Sequence, residues 1–278
     1  MLTVGMNEQQ EQPIDRDTLP FVAPCRDLSP LAPFRWLRLG YADLKNAPRE
    51  SMLYGLFMAI IIAIVSISAW RFGTHWLMLA MLCGFVFLAP LTCIGLYAIS
   101  AQIERDQPVS LLRSLRAAFK RHLGNEMVFA MALLVIFLVW ARAGTMVSVF
   151  LPVNADPELA DLTGFLAVGT VVGAIFASVT FSASAFSLPM IMHRDVDTVT
   201  AIVTSVNAVL RNRVTMVVWL ALIMTGLLIG LLTAFVGLIV ILPIIGYGAW
   251  HGYLETIDAD DFPRHTVGIT SIPRTHTD

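Results

Sequence analysis

Residues 214–254 carry no formally charged side chain, and that absence restricts the fold more tightly than any other feature of the chain. A single helix of that length, rising 1.5 Å per residue, would be about twice as long as a bilayer core is thick. The stretch is therefore a hairpin. Its turn is placed near residues 232–237, between a fifth span at 214–231 and a sixth at 235–254.

The same length argument finds four earlier spans. Residues 52–70 and 76–100 are apolar and separated by the short turn RFGTH, 127–149 is apolar apart from Arg142, and 163–192 lies between the acidic NADPELADL and the polar HRDVD. Six spans in three hairpins make an all-α, polytopic transmembrane helix bundle. Composition agrees, with 57% hydrophobic and 14% charged residues and a mean hydropathy of +0.74, whereas a soluble domain carries about 25% charged residues. The net charge of -2 comes with no clustered basic face of the kind nucleic acid requires, so no nucleic-acid partner is expected. Cys25, Cys83 and Cys93 form neither a CxxC pair nor a disulfide framework. The N-terminus lacks the basic and apolar regions of a cleavable signal peptide, so insertion is expected to rest on the internal spans. Residues 1–30 and 258–278 are expected to be disordered cytoplasmic segments flanking a membrane domain at 31–257.

All but Arg71 and Arg142 of the 18 lysines and arginines fall on the first flank, in the loops after the second and fourth spans, or in the tail. Cytoplasmic flanks retain such residues, so both termini are expected to be cytoplasmic. Each odd-numbered span is preceded by an amphipathic segment, which reads as an internal repeat. In LAPFRWLRLGYADLKN, Arg35, Arg38 and Lys45 share one helical face while Trp36, Leu37, Gly40, Tyr41 and Leu44 share another. VSLLRSLRAAFKRHLG repeats the split, and TVTAIVTSVNAVLRNR keeps Ile202, Val206 and Leu210 in register. Such helices lie in the headgroup plane with basic side chains toward anionic lipid.

The run WLRLGYADL at 36–44, then Pro48, Ser51, Tyr54 and Gly55, and the ending PIIGYGAWHGY at 243–253 resemble a bacterial family of integral membrane proteins, domain of unknown function 2189. The resemblance covers roughly residues 28–257. It implies an inner-membrane, multi-span protein of unassigned activity and transfers no catalytic residue. Members of that family are sometimes labelled as similar to cytochrome oxidase subunit I. Haem–copper sites need several histidines facing one another within the spans, and His75, His122, His193, His251, His265 and His276 all sit in turns, near the surface or in the tail. That label is rejected, and no cofactor or metal is expected.

The residues singled out as functional or structural candidates are Arg142, Pro90, Pro189, Pro243, His193, His251 and Asp43. Arg142 lies about 15 residues into an outward-running span, nearer the outer surface than the centre. It either snorkels toward Asp156, Glu158 and Asp161 or faces a cavity in the bundle, and its depth favours the first. Pro90, Pro189 and Pro243, one in each even-numbered span, free the carbonyls of Val86, Ala185 and Ile239, which in lipid must find a hydroxyl, a neighbouring helix or water. They are expected to kink their spans and to open any crevice toward the cytoplasm; with His193 so close behind it, Pro189 could instead simply end its span. Small residues at four-residue spacing, Gly55-Ala59-Ala63, Gly169-Gly173-Ala177 and Gly226-Gly230-Ala234, read as helix contacts. Ser178, Thr180, Ser182, Ser184 and Ser187 read as bonding back to their own helix, with a polar lumen as the alternative.

No Ser-His-Asp order, HExxH or glycine-rich phosphate loop occurs, so an enzyme is the least supported class. Two functions remain. One is a scaffold or assembly protein whose partners are membrane lipids, anionic at the cytoplasmic face, together with a membrane protein or a second copy of the chain. The other is a small-solute transporter or channel with a crevice open to the cytoplasm. Reporter fusions test the topology: periplasmic activity is expected after Ala155 and cytoplasmic activity after Gln107 and Asp258. A periplasmic C-terminus would contradict the hairpin at 214–254.

Overall fold

The computed structural model describes residues 20–72, 92–105, 109, 123–147, 149 and 159–263. Nine helices run through them: α1 Ala32–Asn46, α2 Pro48–Phe72, α3 Ile94–Glu104, α4 Leu123–Val147, α5 Leu159–Ser184, α6 Ser187–His193, α7 Thr198–Arg211, α8 Arg213–Leu232 and α9 Leu238–Thr256. The fold is an all-α, polytopic helical bundle. Five stretches of helix are long and apolar enough to cross a membrane: Pro48–Ser68, Gly124–Val147, Thr163–His193, Arg213–Leu232 and Leu238–Thr256. They correspond to five of the six expected spans. The remaining one, 76–100, falls largely outside the described residues, and its end forms the start of α3.

The charge-free stretch is the hairpin its length demanded. α8 ends at Leu232 and α9 begins at Leu238. Ala234 and Phe235 reverse the chain at φ 51° and 69°, a left-handed conformation that side chains other than glycine seldom adopt. Thr233 supports the turn, its Oγ1 donating to the Ile229 carbonyl and accepting from Gly237 N, both at 2.9 Å.

Two of the three amphipathic segments are helices with matching connections. α1 passes to α2 through Ala47 (φ -132°, ψ 62°), and α7 passes to α8 through Asn212 (φ -110°, ψ 42°). At each joint one residue closes the first helix with its N–H and opens the second with its carbonyl: Ala47 N to Asp43 O and Ser51 N to Ala47 O, Asn212 N to Ala208 O and Met216 N to Asn212 O. Pro48 suits the first position of α2, where no intrahelical donor is needed. The middle segment, 109–124, lies almost wholly outside the described residues.

α9 occupies the centre and touches α1, α2, α3, α6 and α8, while α4 and α5 pack chiefly on each other and α7. Two glycines make the central approach. A methyl on Gly40 would overlap the Ile244 carbonyl and Gly248 N, and one on Gly55 would overlap the Ile239 carbonyl. Trp36 fills the wedge beside Gly248 and Gly252, edge-on to Trp219 at 5.4 Å and to Phe186 at 6.4 Å between centroids. Tyr97, Trp250 and Tyr253 complete this aromatic core.

Three expectations are corrected. The segment at 20–30 is not disordered: Ala23 N donates to Thr204 Oγ1 (3.1 Å), Arg26 N to Thr256 O (2.8 Å), and Cys25 pairs with Ile257 in an isolated antiparallel bridge. Asp258 N reaches Pro24 O and Asp195 N reaches Pro263 O, so the tail is ordered to 263. These backbone groups find long-range partners, which composition cannot reveal. The apolar face of α1 is also divided, because Trp36 and Gly40 are used by α9 while Tyr41 stays exposed. Finally, the small-residue stripe of the fourth span is only partly an internal contact among the described residues: a methyl on Gly169 would lie 3.6 Å from Val147, whereas one on Gly173 would meet nothing within 4 Å.

Gly40→Ala and Gly55→Ala are each expected to destabilise by about 1–3 kcal/mol, because the overlapped atoms are backbone. Gly164→Ala, where an added methyl meets nothing within 4 Å, should be neutral or slightly stabilising through helix propensity. Thermal unfolding in detergent, followed by circular dichroism, checks the contrast.

Candidate functional site

The candidates other than Arg142 and Pro90 fall in two places, and the richer one is the end of the bundle where α1, α3, α6 and α9 meet. Helical spacing puts Ala32, Trp36, Gly40 and Asp43 on one face of α1, and α9 covers that face. Asp43 is thereby carried into the interior, 6% exposed. Its Oδ2 accepts from Ser100 Oγ at 2.5 Å and from His251 Nε2 at 2.9 Å. A carboxylate partner places the histidine proton on Nε2. One carboxylate therefore joins α1, α3 and α9.

A second polar link lies one turn away. Ser51 Oγ donates to Ala47 O at 2.6 Å, so its lone pair receives the Tyr247 hydroxyl, also at 2.6 Å. Two of the buried indoles are answered by carboxylates: Trp36 Nε1 donates to Glu255 Oε2 at 3.0 Å and Trp250 Nε1 to Glu104 Oε2 at 3.2 Å. Arg35 holds the other Glu255 oxygen. On the α6 side, His193 Nδ1 and the Tyr253 hydroxyl are 2.9 Å apart. Arg194, 5% exposed, donates to Phe262 O at 2.8 Å and to Asp260 Oδ1 at 2.6 Å.

The prolines behave differently from one another. Pro243 sits inside an unbroken α9, and the Ile239 carbonyl it frees is the atom that Gly55 approaches. The hydrogen that replaces a side chain at Gly55 points toward that oxygen, which gives the carbonyl a weak C–H donor in a neighbouring helix. Pro189 stands in the first turn of α6, beyond a break at Ala185 and Phe186. There Ser205 Oγ donates to Ser182 O at 2.7 Å and accepts from Phe186 N at 3.1 Å, while Ser187 Oγ donates to Ala183 O at 2.5 Å. α7 thus staples the interruption with hydroxyls. Pro90 lies outside the described residues.

Arg142 belongs to neither place. It is exposed near the end of α4, its Nη1 donating to Thr145 Oγ1 at 3.2 Å. Ser178 and Thr180 bond back to Ala174 O and Phe176 O of their own helix. Elsewhere in the first helical turns of α4, Glu126 is 7% exposed and its Oε1 has no hydrogen-bond partner among the described residues.

An ordered strap closes the same end. Asn212, at the α7–α8 joint, accepts from Leu28 N at 2.8 Å and donates to Arg26 O at 3.1 Å. Asp27 is held below the ordinary carboxylate range by its hydrogen bonds from Arg211, and Asp258 by that from Arg26. For a depressed carboxylate the stabilisation is present above the unfolded value near 3.8 and is lost only as pH falls through the lower native value. These two surface ion pairs thus persist throughout neutral and mildly acidic conditions. Cys25, within the strap, is buried, and burial raises its thiol above the usual range.

Sequence reasoning singled out Asp43, His193 and His251 but not Ser100, Ser51, Tyr247 or Glu255 as their network. The available signal was Asp43 itself, an acid on the face that Trp36 and Gly40 mark as inward. Among the described residues no cluster of three or more metal-binding side chains occurs.

This arrangement defines a polytopic, integral membrane protein whose interior polar groups tie helices together. Residues 77–193 match the model of the family described as a predicted integral membrane protein, domain of unknown function 2189, the family the sequence resembles. No curated protein and no solved structure matches.

Asp43→Ala would leave the Ser100 hydroxyl and the His251 N–H without their acceptor, with an expected loss of about 1–3 kcal/mol. Arg142→Ala should change stability by no more than about 0.5 kcal/mol. Chemical unfolding of the two variants in one detergent compares them.

Proposed function

We propose that the protein is a non-enzymatic scaffold or assembly module of the bacterial inner membrane, with both termini and the closed end of the bundle on the cytoplasmic side. The observation that carries this reading is the closure of that end. The half of α9 beyond Pro243, where the transporter reading places any crevice, packs its own Trp250 and Tyr253 with Trp36, Tyr97 and Trp219 and is covered by the strap. The carboxylates of Asp43, Glu104 and Glu255 are spent on helix-to-helix bonds rather than directed into a cavity. A rigid, sealed end suits a platform for lipid or for another membrane protein better than a gate. The basic flanks support the cytoplasmic assignment.

A second reading, a small-solute transporter, draws on Glu126, since a buried ionisable group within a span often marks a transport pathway. Proteoliposomes loaded with a broad solute panel separate the two. The scaffold reading predicts no protein-dependent flux, and affinity purification from native membranes is expected to retain one defined partner. Flux that disappears in Glu126→Gln would overturn it.

A further inference from the structure

The face of α1 turned away from α9 has its own pattern. Phe34, Arg38, Tyr41 and Lys45 recur at i, i+4, i+7 and i+11, so they form one stripe. All four are exposed, with Phe34 at 53% and Tyr41 at 47%. The stripe therefore alternates aromatic and basic side chains, and Lys45 Nζ sits 4.5 Å from the centre of the Tyr41 ring. Arg38 and Lys45 differ from four other cations at this end of the bundle. Arg26, Arg35, Arg194 and Arg211 are each matched by a carboxylate, in Asp258, Glu255, Asp260 and Asp27. Among the described residues Arg38 and Lys45 face no carboxylate.

The stripe's place in the fold points to its occupant. One residue, Ala47, separates α1 from the membrane-crossing α2, so the stripe lies at the level where the span leaves the hydrocarbon. Side chains like Tyr41, with an apolar ring and a polar tip, favour that depth. α7, joined to α8 in the same way, also turns large apolar side chains outward, Val199 at 56% and Leu210 at 53%. Two helices at equivalent joints thus expose apolar side chains at one level, as an interfacial setting requires. Charge complementarity then selects the lipid: unpaired cations beside interfacial aromatics fit anionic headgroups.

We infer that the Phe34–Arg38–Tyr41–Lys45 stripe is a docking surface for anionic phospholipid. Arg38 and Lys45 would pair with headgroup phosphates, while Phe34 and Tyr41 insert at the acyl boundary. The inference rests on the scaffold reading's placement of this end at the membrane surface and specifies the partner there.

The test uses the full-length protein in detergent, offered equimolar phosphatidylglycerol and phosphatidylcholine, with retained lipid counted by native mass spectrometry. Wild type is expected to prefer phosphatidylglycerol. Each neutralised cation should weaken that preference roughly fivefold, and Arg38→Gln with Lys45→Gln should weaken it about 30-fold. Arg38→Lys should keep most of it, and Arg142→Gln, at the far end of α4, should keep all of it. Phe34→Ser with Tyr41→Ser should reduce retention of both lipids. An unchanged preference in the Arg38/Lys45 double variant, with circular dichroism showing it folded, would overturn the inference. So would an equal loss in Arg142→Gln, displacement by millimolar inorganic phosphate alone, or loss of a co-purifying protein rather than of lipid. A wild type that is inert in proteoliposomes yet shows no lipid preference would refute the docking surface and leave the scaffold reading standing.

Discussion

Backbone-to-backbone contact with α9 is the constraint on which the rest of the structure depends. Lipid offers no hydrophobic drive for helix association, so helices in a bilayer adhere where they can approach closely and satisfy polar groups. Gly40 and Gly55 allow α1 and α2 to reach the carbonyls of Ile244 and Ile239. The second of these carbonyls is available because Pro243 cannot donate to it. A helix-weakening residue on one element is therefore matched by a side-chain-free residue on another. Once α1 lies against α9, Trp36 falls among Trp219, Phe186 and Gly252, and Asp43 falls between Ser100 and His251.

The buried polar groups then explain why this end is one unit. A carboxylate taken from water must be compensated by hydrogen bonds or it destabilises the fold. Of the three, Asp43 is buried and receives donors from α3 and α9, while the half-buried Glu255 and the exposed Glu104 receive theirs from α1 and α9, so removing α1 or α9 leaves a carboxylate without a donor. The same economy governs the break before α6, where Ser187 and Ser205 meet carbonyls freed by the interruption. Asp43, Ser51, Ser205 and their partners thus act as joints between helices, whereas Ser178 and Thr180 bond within their own helix.

Much of this was legible in the sequence because it follows from length and polarity. The hairpin at residues 232–237 was forced by a charge-free stretch too long for one crossing, and α8 and α9 flank that turn. The need of the proline-freed carbonyls for new partners was also legible, although Gly55 as the partner of Ile239 was not. The strap was missed because residues 20–30 carry three prolines and no helical periodicity, while their bonds go to Thr204, Asn212 and Thr256 across more than 180 residues of chain. The faces of α1 were misdivided for a related reason. Amphipathicity separates apolar from polar, but it cannot tell an apolar face meant for lipid from one meant for a neighbouring helix. Asp43 could be picked out from its surroundings, yet Ser100 and His251 are 57 and 208 residues away and carry no local pattern.

The central claim is that the end of the bundle formed by α1 and α9 is closed and static. Hydrogen–deuterium exchange of the full-length protein in nanodiscs, read on peptides covering 32–46 and 244–256, tests it directly. A closed end predicts that α1 exchanges as slowly as α9, over hours, because its amides open only when the contact at Gly40 and Gly248 is lost. Exchange of 32–46 within seconds to minutes while 244–256 stays protected would show α1 lying loose on the surface, and would contradict the account.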